Sequence, residues 1–156
     1  MPHLPQRDDL IHDPDGGMPR LLAIMARLRD PDTGCPWDIA QDFASIAPYT
    51  IEEAHEVADA IARQAWDQLQ GELGDLLLQT VYHAQLGAEA GHFSFDSIVR
   101  GISDKMVARH PHVFGTENRN KTVRNKPPIG KRSKRLSVQA APRAGCWTVW
   151  RWVCLH

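Results

Sequence analysis

The chain has 156 residues, of which 42% are hydrophobic and 24% charged, with a formal net charge of −1 at pH 7. That length supports one domain with a modest core, and no apolar run is long enough to cross a membrane. Cys35, Cys146 and Cys154 follow neither metal-ligand nor redox spacing, which argues against a disulfide framework and for a reducing compartment. The opening Met1-Pro2-His3-Leu4-Pro5 lacks the charged start and apolar centre of a signal peptide, so cytoplasm is the expected location.

The small net charge averages two unlike parts. Residues 1–115 carry 18 of the 19 acids and 8 of the 18 Lys and Arg residues, a net of −10, whereas residues 116–156 carry Glu117 and ten basic residues, a net of +9. An acidic folded body with a basic tail is the expectation.

Residues 1–17, rich in Pro, Asp and Gly, read as a mobile lead-in. Met18, Leu21, Leu22, Met25 and Leu28 recur at helical spacing and predict a first helix, ended by Asp30-Pro31-Asp32-Thr33-Gly34. Arg20, Arg27 and Arg29 fall on its other faces and read as solvated. Cys35-Pro36-Trp37-Asp38 follows as a rigid loop with an indole at its tip, read from spacing as a core plug in preference to a stacking platform.

A second helix is expected from Pro48 to Thr50 onward. Its buried stripe would be Ile51, Ala54, Ala58, Ile61 and Ala62, with Glu52, Glu53, Glu56 and Asp59 on the opposite face. Thr50 and Glu53 also fit a capping box, which would make Glu53 a structural residue. A bend around Gln64 to Asp67 leads to a third helix, capped by Asp67 with Gln70 and terminated at Gly91. There Leu69, Leu73, Leu76, Leu77, Val81 and Ala84 form an apolar arc, while Glu72, Asp75, Gln79 and His83 make a narrow polar stripe. Gly71 and Gly74 weaken that helix and predict close approach by another helix or a ligand. His83 reads as a hydrogen-bonded core histidine.

Residues three apart share a helix face. Glu53-x-x-Glu56 and Glu72-x-x-Asp75 therefore each point two carboxylates one way. An antiparallel bend sets the pairs at one level, where four acids repel unless a cation balances them. All-oxygen ligation suits Mg²⁺ or Mn²⁺.

A fourth helix runs from Ser94 or Asp96 to His110, stopped by Pro111, with Ile98, Val99, Ile102 and Met106 inward. Lys105 and Arg109, four apart, project together as a clamp for phosphate oxygens, although helix-end cations also complement the dipole without any ligand. From Thr116 no helical or strand period continues. Trp147, Trp150 and Trp152 crowd the last ten residues, and the mixture reads as a segment never selected to fold with the rest, such as a shifted reading frame. Nucleic-acid binding by this basic arm ranks below that.

Four stretches together resemble the MazG family of nucleoside triphosphate pyrophosphohydrolases. They are Cys35-Pro36-Trp37-Asp38; Pro48-Tyr49-Thr50-Ile51-Glu52-Glu53-Ala54-His55-Glu56-Val57; Gly71-Glu72-Leu73-Gly74-Asp75-Leu76-Leu77-Leu78-Gln79; and Lys105-Met106 with Arg109-His110-Pro111-His112-Val113-Phe114-Gly115. The resemblance covers residues 18–115. It implies an all-α, MazG-like bundle of about four helices over 18–115, with a lead-in over 1–17 and a largely disordered basic tail over 116–156. The activity implied is hydrolysis of nucleoside triphosphates between the α and β phosphates, to the monophosphate and pyrophosphate. By position, Glu53, Glu56, Glu72 and Asp75 resemble the Mg²⁺ ligands, Glu53 or Glu56 the base, and Glu52 an adjoining acid. Lys105 and Arg109 resemble triphosphate contacts, and Trp37 and Tyr49 lie in motifs near the nucleotide. A homodimer is implied as well.

After Gly115 the family continues with a tryptophan-bearing helix that nothing here resembles, so reduced affinity or turnover is expected. The alternative is a catalytically impaired nucleotide-binding or dimerisation module. A di-iron carboxylate bundle, from Glu52-x-x-His55 and Glu89-x-x-His92, ranks third because Gly91 interrupts the second motif.

Overall fold

A computed structural model describes residues 7–115 of the chain. The basic segment 116–156, with the disorder expected of it, lies outside the described residues. Among the described residues every regular element is an α-helix: α1 (Arg7–Ile11), α2 (Gly17–Leu28), α3 (Pro36–Ile39), α4 (Phe43–Ala62), α5 (Trp66–Glu89), α6 (Phe95–Arg109) and α7 (Pro111–Phe114). The all-α class is as expected, with four long helices and three short ones. These residues fall into two compact units, divided between Phe95 and Asp96.

In the first unit, α1 forms inside the stretch expected to be a mobile lead-in. It is tied to α2 by Arg20 Nε, which donates to the Ile11 carbonyl at 2.9 Å. The second long helix starts earlier than the sequence suggested. Asp42 caps α4 by accepting from the Ser45 N–H at 2.8 Å, and Ser45 Oγ accepts from the Asp42 N–H at 2.9 Å. This reciprocal box satisfies two orphan N–H groups, so Pro48 lies inside the helix and the Thr50–Glu53 box does not form. The proline costs one ladder hydrogen bond, and the helix continues through it.

Two similar turns end the hairpin helices. After α4, Gln64 adopts φ 55°, with its N–H on the Ile61 carbonyl at 3.1 Å and the Ala65 N–H on the Ala60 carbonyl at 2.9 Å. After α5, Gly91 adopts φ 70°, with its N–H on Ala88 at 3.2 Å and the His92 N–H on Gly87 at 2.9 Å. Both are left-handed terminators that satisfy the last carbonyls. The expected stop at Gly91 is found, but the Asp67–Gln70 cap is not: Ala65 precedes α5 without a side-chain cap, and Asp67 sits in the first turn.

The core is formed by Met25, Ile46, Val81, Tyr82 and Leu86, with Met18, Leu21, Leu22, Trp37, Tyr49, Leu78 and Phe95 packed against it. On α4 the buried residues are Ile46, Glu53 and Ala60, spaced by seven as in a helix–helix seam. The predicted inner stripe is thus corrected. Ile51 and Ile61 are exposed, as are Ala54, Ala58 and Ala62, because α4 turns its acidic face toward α5. On α5, Val81 and Ala84 are buried as expected, whereas Leu73 and Leu77 face outward.

The second unit holds α6 after its first residue, and α7. No α6 side chain is buried, and Val99, Ile102 and Met106 are exposed, so the inward packing expected of them is not found within the described residues. Pro111 separates the two helices by opening α7 at its first position, which its fixed φ favours.

Candidate active site

The α4–α5 hairpin sets the acids of one helix against those of the other. One carboxylate oxygen each of Glu53, Glu56 and Glu72 lies within 4.8 Å of the others. The antiparallel bend and the three-residue spacing together place them there: Glu53 and Glu56 share one flank of α4, and Glu72 approaches from α5. Asp75 lies outside that triad, one turn along α5, but its charge acts on both Glu53 and Glu72. Asp75 also has interactions of its own.

The triad is graded in burial. Glu53 is only 2% exposed, Glu72 is half-buried and Glu56 is exposed. Burial first, and then the charges of Asp75, Glu56, Glu52 and Glu72, push the Glu53 carboxyl up to about 7. Glu72 is pushed up by burial and by Glu56 beside it, with Arg63 pulling the other way. Glu53 Oε2 is buried without a hydrogen-bond partner. A buried acid surrounded by like charge is costly unless protonated or matched by a cation. The all-oxygen donor set and the unpartnered Oε2 fit a hard divalent cation.

Gly71 and Gly74 flank Glu72 on α5, and a Cβ built on either would meet nothing within 4 Å. The close helix approach expected of them is therefore absent among the described residues, and the space beside Glu72 is open.

The sequence matches the MazG nucleotide pyrophosphohydrolase domain over residues 41–114, which spans α4 through α7. The chain carries a MazG domain. It is similar to a nucleoside triphosphate pyrophosphohydrolase of Escherichia coli (strain K12), 63% identical over 95 residues that cover 61% of this chain and 36% of the relative. It is also similar to a nucleoside triphosphate pyrophosphohydrolase/pyrophosphatase MazG of Thermotoga maritima, 46% identical over 95 residues covering 61% of this chain and 37% of the relative. A nucleoside triphosphate pyrophosphohydrolase of Mycobacterium tuberculosis is 36% identical over 99 residues, covering 62% and 30%. The chain thus spans little more than a third of the length of the first two of these curated relatives.

Within the MazG domain the other residues singled out in the sequence are less concentrated. Glu52 is half-buried beside the triad. Tyr49 lies one turn before Glu53 on α4 and packs half-buried against the core. Trp37, just before the domain, does the same, as a plug, and its carbonyl accepts from Gln41 Nε2 at 2.9 Å. Lys105 and Arg109 are exposed on α6 in the second unit and project from one flank of that helix. His83 is hydrogen-bonded, as expected, with Nε2 3.0 Å from Thr50 Oγ1 and its ring stacked on Phe43 at 5.8 Å. Burial lowers its pKa.

The sequence reading missed a second polar cluster, centred on Arg29 and Asp38. Arg29, expected to be solvated, has a side chain only 7% exposed and pairs with Glu89 at 2.7 Å. Its Nη1 also donates to the Asp38 and Gln41 carbonyls. Asp38 is fully buried, and the Tyr82 hydroxyl lies 3.0 Å from its carbonyl and 3.1 Å from its Oδ1. Glu89, a ligand in the di-iron reading, is engaged by Arg29, which holds its carboxylate below its usual range. No local pattern signals contacts that join residues 44 and 60 positions apart.

Proposed function

We propose that this chain hydrolyses nucleoside triphosphates at the α–β phosphoanhydride, giving the nucleoside monophosphate and pyrophosphate. The observation that carries the reading is the triad of Glu53, Glu56 and Glu72, three carboxylates converging across a helical hairpin, on which Arg63 is the one opposing charge acting among the described residues. The relatives named nucleoside triphosphate pyrophosphohydrolases support the substrate class.

Glu53, Glu56, Glu72 and Asp75 would hold Mg²⁺, with Mn²⁺ as a substitute; the ion would neutralise phosphate oxygens and acidify water. The protein's own part is to hold the acids in place and to move a proton. Either Glu53 or Glu56 accepts the proton of the water that attacks the α phosphorus, as pyrophosphate leaves with the bridging oxygen. Lys105 and Arg109 would counter the charge gained by that leaving group. Trp37 and Tyr49 back the hairpin on the nucleotide side, with Glu52 as an adjoining acid. The open space beside Gly71 and Gly74 leaves room for the phosphates.

A second copy of the chain would cover the outward apolar residues Ile51, Ile61, Leu73 and Leu77, since burying such side chains stabilises association. No helix among the described residues is long and apolar enough to cross a membrane, and the cytoplasm is the proposed location.

Pyrophosphate release from a panel of nucleoside triphosphates with Mg²⁺ tests the activity. Turnover by the wild type and a loss of about 100-fold or more in Glu72→Gln are expected. Equal rates in the two proteins would remove Glu72 from the site. Nucleotide binding by the folded wild type without turnover would establish the impaired binding module instead. Sedimentation should give a dimer that Leu77→Glu converts to monomer; a monomeric wild type would refute the pairing.

A further inference from the structure

Two buried carboxylates occupy the first unit, and only the acids of the hairpin enter the proposed chemistry. The other, Asp38, belongs to a network that ties three helices together. Glu89 near the end of α5 receives Arg29 Nε at 2.9 Å and Nη2 at 2.7 Å. Arg29, just past α2, reaches the carbonyls of Asp38 in α3 and of Gln41 just beyond it. Tyr82 on α5 shares its hydroxyl proton between the Asp38 carbonyl and Oδ1, and the guanidinium lies 5.6 Å from the centre of the Tyr82 ring. Asp38 and the Tyr82 hydroxyl are buried and the Arg29 side chain is only 7% exposed, so their bonds are geometrically demanding and costly to break, while Glu89 closes the network at the surface.

The network adjoins the core face that supports the acids. Tyr82 is itself a core residue, and Trp37, next to Asp38, packs on the same cluster as Ile46 and Tyr49 of α4. Ile46 and Glu53 are successive members of the buried seam of α4, and Tyr49 precedes Glu53 by one turn. Glu72 lies ten residues before Tyr82 on the same helix, roughly 15 Å away at 1.5 Å per residue. Trp37 and Tyr49 pack on one cluster that includes Ile46 of α4 and Tyr82 of α5, so fixing α3 onto α5 constrains the core face on which α4 rests.

We propose that the Tyr82 hydroxyl is a positioning group for the acid triad: by holding Asp38 and the α3 turn it sets the register of α4 on α5, and so the separation of Glu53 and Glu56 from Glu72. Arg29 and Glu89 stiffen the same clamp. The proposal rests on reading the triad as a cation site, and it assigns a role to residues 29 and 38, which lie outside the matched domain.

Binding of Mn²⁺ alone, followed by electron paramagnetic resonance on the full chain, tests it. Measurements at 10 °C, where the variants are folded, separate placement from stability. Tyr82→Phe keeps the ring and the core volume but removes the proton, and should weaken Mn²⁺ binding about 5-fold, approaching the range seen when outer partners of metal ligands are lost. Asp38→Asn keeps an oxygen for the hydroxyl and should stay within about two-fold of wild type, a rescue that requires the acceptor and not the charge. Unchanged Mn²⁺ affinity in folded Tyr82→Phe overturns the proposal and leaves the cation site standing. A wild type that binds no Mn²⁺ overturns both. Should Tyr82→Phe fail to fold, Glu89→Ala, which takes the surface carboxylate from Arg29 without emptying the core, carries the same test with the same two outcomes.

Discussion

Glu53 and Asp38 are both carboxylates withdrawn from water, with one oxygen each buried and unpartnered, yet their surroundings differ in sign. Around Asp38, burial raises the pKa, but Cys35, Tyr82 and the Arg29 guanidinium all pull it back. Around Glu53, every cause raises it: burial, then Asp75, Glu56, Glu52 and Glu72. The first site is compensated within the protein and holds the fold together. Among the described residues the influences on the second all act in one direction, and folding alone gives no reason to keep it. An arrangement that costs stability and persists at one spot is where a ligand is expected to supply the missing charge.

The largest effects should come from removing charge at the uncompensated site. Glu53→Gln should lower pyrophosphate release about 100-fold or more, and it should also change how metal-free stability depends on pH. The folded-state pKa of about 7 lies above the ordinary glutamate value of 4.5, so the folded protein binds the proton more tightly. The associated stability is fully present below pH 4.5 and is lost as pH rises through 7. The melting temperature of the metal-free wild type should therefore fall between pH 5 and pH 8, and Mg²⁺ should restore it at pH 8. In Glu53→Gln the fall should be much smaller, and Mg²⁺ should have little effect. A wild type whose melting point in chelator is flat over that range would contradict the account of Glu53.

At the compensated site the expected effect lies in stability. Arg29→Met keeps much of the side-chain volume but removes the guanidinium from Glu89 and from the Asp38 and Gln41 carbonyls, leaving Glu89 to Gln85 and the Asp38 carbonyl to Tyr82. The cost should be about 1–3 kcal/mol, since a mostly buried guanidinium with its hydrogen bonds is lost while Glu89 can turn to water. Urea unfolding would read it as a lower midpoint at unchanged slope. A change within about 0.5 kcal/mol would mean that the network is not the structural counterpart of the triad.

The two sites also differ in how far the sequence revealed them. Glu-x-x-Glu and Glu-x-x-Asp are legible because three residues is close to one helical turn, so spacing encodes a shared face. A hairpin bend then fixes the level at which the pairs meet. Which face of α4 turns inward was not legible. Amphipathicity says which side chains travel together, and Ile51, Ala54, Ala58 and Ile61 gave the stronger apolar stripe; the structure buries Ile46, Glu53 and Ala60 instead. Pro48 misplaced the start of α4, because proline usually marks a first turn, and here Asp42 and Ser45 had already capped the helix. Arg29–Glu89 and Asp38–Tyr82 join distant segments through single polar contacts, which no periodicity records.

The smallest effect concerns the turn that brings the acids together. Gln64 carries the only positive φ among the described non-glycine residues, 55°, at the position that Gly91 fills after α5. An L-residue there pays a steric penalty of about 1–2 kcal/mol that glycine avoids. Part of the gain is returned because glycine makes the unfolded chain more flexible. Gln64→Gly should therefore stabilise the protein by about 0.5–1 kcal/mol, raising the melting temperature by a few degrees. Turnover and Mn²⁺ affinity should stay unchanged, since the backbone already has the required shape and the side chain is exposed. Gly91→Gln, the mirror experiment at the other terminator, should destabilise by a similar amount. Loss of stability in Gln64→Gly would show that the Gln64 side chain contributes more than its backbone strain costs, and the likeness between the two turns would end at their hydrogen bonds.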